Sequence, residues 1–286
     1  MSTLQPFFKN VQHHYDLSDQ FFRLFLDPTM TYSCAYFDPP DISLEQAQLA
    51  KIDLSLSKLN IQPNQTLLDI GCGWGAAILR AAQQHNVNAI GLTLSKNQHA
   101  HVTQLAQQHT NLNIQAHLTG WENFNQPVDR IVSIGAFEHF RAERFPAFFQ
   151  RCRSILPPDG RMLLHTIVWP NPKDLETNNI ELTHESVLFA KFIQKQIFPG
   201  GQLVTPNTIT AHATQAGFNV ERIHSLQSHY AKTLAIWAEQ LEAKQSQAFR
   251  VASPQTYETY MKYLTGCSNY FASGHIDICQ FTLTLD

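Results

Sequence analysis

A chain of 286 residues is long enough to bury a full core, and its formal charge of −3 leaves no basic face of the kind a nucleic acid needs. Five widely spaced cysteines (Cys34, Cys72, Cys152, Cys267, Cys279) without a C-x-x-C pair point away from a disulfide framework and a zinc site, and toward a reducing cytoplasm. No run approaches the ~18 apolar residues of a membrane span, and residues 1–10 carry no apolar signal core, so contact with lipid is expected only at the membrane surface.

The hydrophobic fraction is 43%, with 19 Phe and 8 Tyr, an aromatic bias that suits an acyl or ring-bearing substrate. In chain order, Leu17, Phe21, Leu24 and Phe25 recur at helical spacing behind Ser18 or Asp19 as N-cap. They predict a lid or flanking helix within 11–26. A second helical period runs over 43–59 and stops at Pro63. Apolar strands are then predicted at 66–70, 87–94, 113–119, 129–135 and 161–168, alternating with helical segments. Such alternation indicates an α/β fold, a parallel sheet with helices on both faces, whose ligands sit at the carboxyl ends of the strands. From 170 to 205 the pattern breaks around Pro170, Pro172, Pro199, Gly200 and Gly201, and an insertion there is expected to cover the crevice. Helices at 206–216, 230–250 and 254–272 and strands at 220–226 and 276–285 complete the chain.

The most informative stretch is Leu68-Asp69-Ile70-Gly71-Cys72-Gly73-Trp74-Gly75, where a strand closes on three alternating glycines. Such glycines admit positive φ and let a ligand approach backbone amides. The spacing through Ala76 also satisfies a dinucleotide pattern, which expects an acid about 20 residues on. No acidic residue lies between Asp69 and Glu122. With Asp69 placed before the glycines, a cationic ligand such as S-adenosylmethionine fits better than a pyrophosphate.

Several segments together resemble the cyclopropane fatty acid synthase family. They are His14-Tyr15-Asp16-Leu17-Ser18, Thr31-Tyr32-Ser33-Cys34-Ala35-Tyr36-Phe37, the glycine loop, Gly91-Leu92-Thr93-Leu94-Ser95-Lys96-Asn97-Gln98 and Gly135-Ala136-Phe137-Glu138-His139. The likeness continues through Phe198-Pro199-Gly200-Gly201, His229-Tyr230-Ala231-Lys232-Thr233-Leu234 and Tyr263-Leu264-Thr265-Gly266-Cys267. Length is most similar to the short branch, the mycolic acid cyclopropane synthases.

The resemblance implies a single class I, Rossmann-like methyltransferase domain over 1–286 with seven strands, the last antiparallel. It divides into a helical lid (1–60), a cofactor-binding core (61–169), a substrate-covering insertion (170–205) and a C-terminal part (206–286). It implies S-adenosylmethionine as methyl donor. Tyr32 and Ser33 would close over its methionine end, with Asp69 and Gly71 beneath, and Gly73 and Gly75 would also belong to the cofactor site. Thr93 and Gln98 would hold the ribose, Leu94 would lie in the cofactor site beside them, and Trp121 and Glu122 would flank the adenine.

It also implies cyclopropanation of a cis double bond in a long acyl chain carried by a phospholipid or a carrier protein, with Tyr15 on the substrate side. Methyl transfer to the alkene in a dry cavity leaves a carbocation, which aromatic faces stabilise and water would trap as an alcohol. A bound bicarbonate, held by residues matching Cys34, Glu138, His165 and Tyr230, would then remove a proton so that the ring closes. Cys267 matches a cysteine regarded as catalytic in the family, although the bicarbonate scheme gives it no necessary role.

Plainer readings stand beside these. His165 within an apolar strand reads as a satisfied core histidine, Glu138 as an acid in the first turn of a helix, and Cys34 and Cys267 as buried small residues. No metal is expected, since His99 and His101 face different ways and no H-E-x-x-H occurs. The same cation could end as a hydroxylated or methyl-branched chain, and a non-catalytic S-adenosylmethionine-binding protein would keep the glycine loop without the base.

Overall fold

The computed structural model describes residues 4–6 and 19–285. One seven-stranded sheet organises it. The strands are β1 (Thr66–Ile70), β2 (Asn88–Thr93), β3 (Ile114–Leu118), β4 (Arg130–Ile134), β5 (Arg161–Val168), β6 (Asn219–Ser225) and β7 (Asp277–Thr284). Their spatial order is β3-β2-β1-β4-β5-β7-β6, with β1 to β5 parallel and β7 antiparallel to both β5 and β6. From β1 the strand order runs outward to β2 and β3 on one side and then returns to β4 and β5 on the other, which makes the carboxyl end of β1 the switch point at which open α/β sheets hold their ligands.

Strand alternation assigns each face of the sheet its own core. Leu67, Val132 and Leu163 pack with Ile52, Leu56, Ile78 and Val102, which belong to α2 (Leu44–Ser57), α3 (Ala76–His85) and α4 (Lys96–Gln108). Leu68, Ile131, Met162 and Leu164 point the other way, onto Phe145, Phe148 and Phe149 of α5 (Phe145–Ile155). Local sequence fixes where these helices start. Ser43 and Gln46 form a reciprocal capping box, and the Ser95 hydroxyl accepts from the Gln98 amide. Gly75, at φ 89°, turns the chain from the glycine loop into α3.

A third, aromatic cluster lies beyond one end of the sheet. It joins the N-terminal turn to α9 (Gln227–Ala243), α10 (Gln245–Val251) and α11 (Pro254–Ala272), through Phe21, Phe22, Phe25, Trp237, Tyr260 and Phe271. Here the structure departs from sequence expectation twice. Among the described residues of 11–26, only α1 (Asp19–Phe22) is helical; Leu24, Phe25 and Leu26 follow in tight turns. An amphipathic helix buries one stripe, whereas Phe21, Phe22, Leu24, Phe25 and Leu26 are all buried, so the chain must coil. The predicted helix at 230–250 is two helices. The chain breaks at Lys244, whose ammonium bonds the carbonyl of Leu24 at 2.6 Å. The segment 170–205 contains α6 (Pro172–Thr177), α7 (His184–Phe192) and a π-helical turn (Ile193–Ile197), and α8 (Pro206–Gln215) follows.

Candidate active site

A crevice opens at the carboxyl ends of β1, β2 and β4. Tyr32, Ser33, Asp69, Gly71, Gly73, Thr93, Leu94, Gln98, Trp121 and Glu122 all line it, so ten of the expected cofactor residues come from four separate segments to one place. Gly71 has φ +88°, and a Cβ there would stand 2.4 Å from that of Ala136. Gly73 has φ +54° with nothing within 4 Å of the missing Cβ, which leaves that space to a ligand. Gly75 does not line the crevice; its missing Cβ makes room for Val102 of α4, 2.9 Å away. Its bareness serves helix packing.

Polar partners preset the lining. Thr93 Oγ1 lies 2.8 Å from Gln98 Oε1, which turns the amide nitrogen of Gln98 away from Thr93. Glu122 Oε1 receives Arg144 Nη1 at 3.0 Å, and Gly120 without a Cβ gives room to the other carboxylate oxygen. Asp69 Oδ1 is buried with no hydrogen-bond partner among the described residues, and burial pushes the carboxyl up to about 7. Across from it is a buried lysine. Lys51 Nζ donates to Ser33 Oγ at 2.8 Å, and burial lowers its ammonium to about 8.

A second cavity of about 700 Å³ adjoins the first, and Tyr32, Ser33, Gly135 and His139 line both. Its walls are apolar and aromatic: Phe189, Phe198, Tyr230, Tyr263, Tyr270 and Phe271 with Ile167, Leu234 and Ile278. Segment 170–205 contributes Leu182, Ser186, Val187, Phe189 and Ile193 to this cavity and none of the lining of the glycine-loop crevice. The insertion thus borders the second cavity rather than the glycine-loop crevice. His139, at the junction, is held neutral, burial lowering it to about 4.

Glu138, Tyr230 and Cys267 line the second cavity. Glu138 Oε1 accepts from the Ile167 amide at 2.7 Å, while Oε2 is buried and unpartnered among the described residues. Burial raises this carboxyl above the ordinary range, partly opposed by the Ile167 amide. Burial also raises Tyr230, with Tyr263, Cys34, Cys267 and Glu138 adding to it. His165 lies one residue pair beyond the wall. The pair Ile167–Ile278 faces the cavity, and His165–Gln280 is the next pair on the same face of the sheet. Its ring is wholly buried, Nδ1 meets Gln280 Nε2 at 3.1 Å, and Nε2 has no partner among the described residues.

Cys34 lines neither cavity; its thiol points at the carbonyls of Ala35 (3.1 Å) and Leu226 (3.8 Å). Burial raises both Cys34 and Cys267, so each is a thiol and not a thiolate. Tyr15 lies outside the described residues. No group of three His, Cys, Asp or Glu side chains among the described residues is arranged to hold a metal.

Sequence reasoning passed over Lys51, Gln48, Arg144 and Gln280. Gln48 Nε2 donates to the carbonyls of Thr31 (3.2 Å) and Ser33 (2.8 Å), and with Lys51 it fixes the loop that carries Tyr32 and Ser33. Positions 48, 51 and 55 place polar residues on the same side of α2 as Ile52 and Leu56, the only trace of Gln48 and Lys51 in the sequence, while Arg144 and Gln280 left none.

This geometry has close relatives. A family profile described as mycolic acid cyclopropane synthetase matches residues 2–281. Cyclopropane mycolic acid synthase 1 of Mycobacterium tuberculosis is 55% identical over 280 residues, 98% of each chain. Among solved structures, the cyclopropane synthase MmaA2 from Mycobacterium tuberculosis superposes with a TM-score of 0.97 at 54% identity, covering 98% of this chain and 99% of that one. The mycolic acid cyclopropane synthase CmaA1, complexed with SAH and CTAB, gives 0.95 at 54% identity over 98% and 99%. Coclaurine N-methyltransferase, at 19% identity and a TM-score of 0.80, shares the fold. The profile and these near full-length identities agree with the two joined cavities, and this chain belongs to the mycolic acid cyclopropane synthetase family.

Proposed function

We propose that this enzyme transfers a methyl group from S-adenosylmethionine to a cis double bond in a long acyl chain and closes a cyclopropane, with bicarbonate as the bound base. The observation that carries this reading is the junction of the two cavities at Tyr32, Ser33, Gly135 and His139. A donor in the glycine crevice would there face an alkene in the aromatic space and nowhere else. The sulfonium supplies an electrophilic methyl, and the protein supplies alignment and dryness.

The residues present fit such a donor. Gly71 and Gly73 keep side chains out of its way, Asp69 Oδ1 awaits a donor such as an ammonium, and Lys51 faces the crevice as its one ammonium or guanidinium among the described lining residues. Lys51 would meet the methionine carboxylate. They also fit an oxyanion. Glu138 Oε2 and His165 Nε2 are buried without partners among the described residues. Burial keeps His165 uncharged, and it pushes Glu138 toward its protonated form and Tyr230 toward its phenol. These neutral groups would hold an anion by hydrogen bonds, and the ammoniums of Lys51 and Lys58 add to burial in keeping His165 from taking a second proton. Bicarbonate supplies the proton acceptor. Aromatic ring faces at Tyr230, Tyr263, Phe198 and Phe271 stabilise the cation and give it no nucleophile.

The test supplies purified enzyme with donor and a cis-monounsaturated acyl lipid, with and without bicarbonate. The expected product gains about 14 Da, needs bicarbonate, and falls about a hundredfold or more in Glu138→Gln. A gain of about 32 Da, the methyl plus hydroxyl outcome, or full activity without bicarbonate overturns the proposal.

A further inference from the structure

The imidazole of His165 has one N–H to give while it is neutral, so which nitrogen bears the proton decides whether the buried Nε2 attracts an anion or repels it. The neighbours of Nδ1 answer this. Gln280, directly opposite on β7, sets its Nε2 at 3.1 Å from Nδ1. An amide nitrogen only donates, so Nδ1 must accept. The orientation of a glutamine amide is itself a matter of its partners, and its two others, Lys58 and Ser55, agree. Lys58 Nζ, which can only donate, bonds Gln280 Oε1. Gln280 Nε2 also reaches Ser55 Oγ at 2.9 Å, and that hydroxyl gives its single proton to the Lys51 carbonyl at 2.8 Å. Lys58 is fixed from its other side by His224 Nδ1 at 3.0 Å. Turning the amide over would set NH2 against an ammonium and a carbonyl against a hydroxyl with no proton left to offer.

We infer that Gln280, oriented by Lys58 and Ser55, is a positioning residue that holds His165 as its Nε2–H tautomer and so makes it a donor to the anion proposed between His165 and Glu138. Only the last step rests on the proposed function. The tautomer follows from the contacts of Gln280 alone. Burial, which keeps the ring from taking a second proton, makes the choice binary.

The test is 15N NMR of protein labelled at histidine, with His165 assigned by its loss in His165→Gln. The native chain is expected to show Nδ1 unprotonated and Nε2 protonated. In Gln280→Glu, a carboxylate of the same shape keeps Lys58 as partner but accepts where the amide donated, so the proton moves to Nδ1. Product formation then falls about tenfold or more. SAH binding, measured by calorimetry, stays at the native value because Gln280 does not line the crevice. Lys58→Met frees the amide to turn and yields a mixture of both tautomers; it serves at a partly exposed position should the buried variant not fold. A native Nδ1–H, or a Gln280→Glu protein that keeps its proton on Nε2, overturns the inference. Bicarbonate added to the native chain separates the two layers. A shifted Nε2–H resonance supports the anion site, whereas an unmoved one overturns the anion reading and leaves the tautomer result standing in support of the role of Gln280.

Discussion

Gly71 and Gly73 stand two positions apart in one loop and answer different requirements. Alanine at Gly71 would need φ near +88° and would drive its methyl to within 2.4 Å of another Cβ carried on the backbone of Ala136, so the loop or the turn after β4 must shift. Strain of this kind costs about 1–3 kcal/mol. Gly71→Ala is therefore expected to lower the melting temperature by several degrees and to abolish SAH binding together with it. Alanine at Gly73 meets no protein atom within 4 Å and sits at φ +54°, where a side chain is tolerated at roughly 1–2 kcal/mol. Its methyl stands where the ligand would lie, so Gly73→Ala is expected to keep most of its stability and lose SAH affinity. Calorimetry beside thermal melting reads both quantities. A Gly73→Ala protein that binds SAH as tightly as the native chain would remove the glycine cradle from the account.

Helix α2 is the element whose importance the sequence conceals. The strands were legible because each is a short apolar run bounded by turn residues, and 66–70 and 161–168 match the observed β1 and β5 residue for residue. The motif residues were legible because chemistry in a glycine loop leaves few substitutes. Gln48, Lys51 and Ser55 were not, since polar residues on a helix ordinarily mark its wet side. Here they form an inner stripe: Gln48 holds the carbonyls of Thr31 and Ser33, Lys51 holds the Ser33 hydroxyl, and Ser55 holds Gln280. The pairing of Arg144 with Glu122 was equally hidden, because nothing local links two charges so far apart in the chain. The stripe has a direct consequence for the donor. Lys51→Met is expected to weaken SAH binding about tenfold or more, the range of a charge-assisted hydrogen bond. Binding of 5′-methylthioadenosine, which has the adenosyl sulfur but no carboxylate, should be unchanged. An equal loss for both ligands would mean that Lys51 acts only by holding Ser33.

The whole molecule tolerates two opposed buried charges in one crevice, and its stability should record that in its dependence on pH. Asp69 is raised to about 7, so the folded chain binds more protons than the unfolded chain below that pH, and this carboxyl lowers stability as pH rises from about 4 to 7. Lys51 is lowered to about 8, so from about 8 to 10 the folded chain binds fewer protons than the unfolded one, and stability rises with pH there. Together they place a trough at about pH 7–8, where both groups are charged and desolvated. Each pH unit between folded and unfolded values corresponds to about 1.4 kcal/mol, enough to displace a melting curve. SAH, with an ammonium for Asp69 and a carboxylate for Lys51, should fill that trough. Its stabilising effect is expected to be largest near pH 7–8 and smaller at pH 5 and pH 10, on melting curves recorded at saturating SAH. Other titrating groups cancel when each curve is compared with its variant. Lys51→Met should flatten the rise above pH 8, and Asp69→Asn the fall below pH 7. A Lys51→Met protein with the native slope above pH 8 would show that this ammonium is not desolvated in the free enzyme, and the carboxylate partner proposed for it would lose its energetic basis.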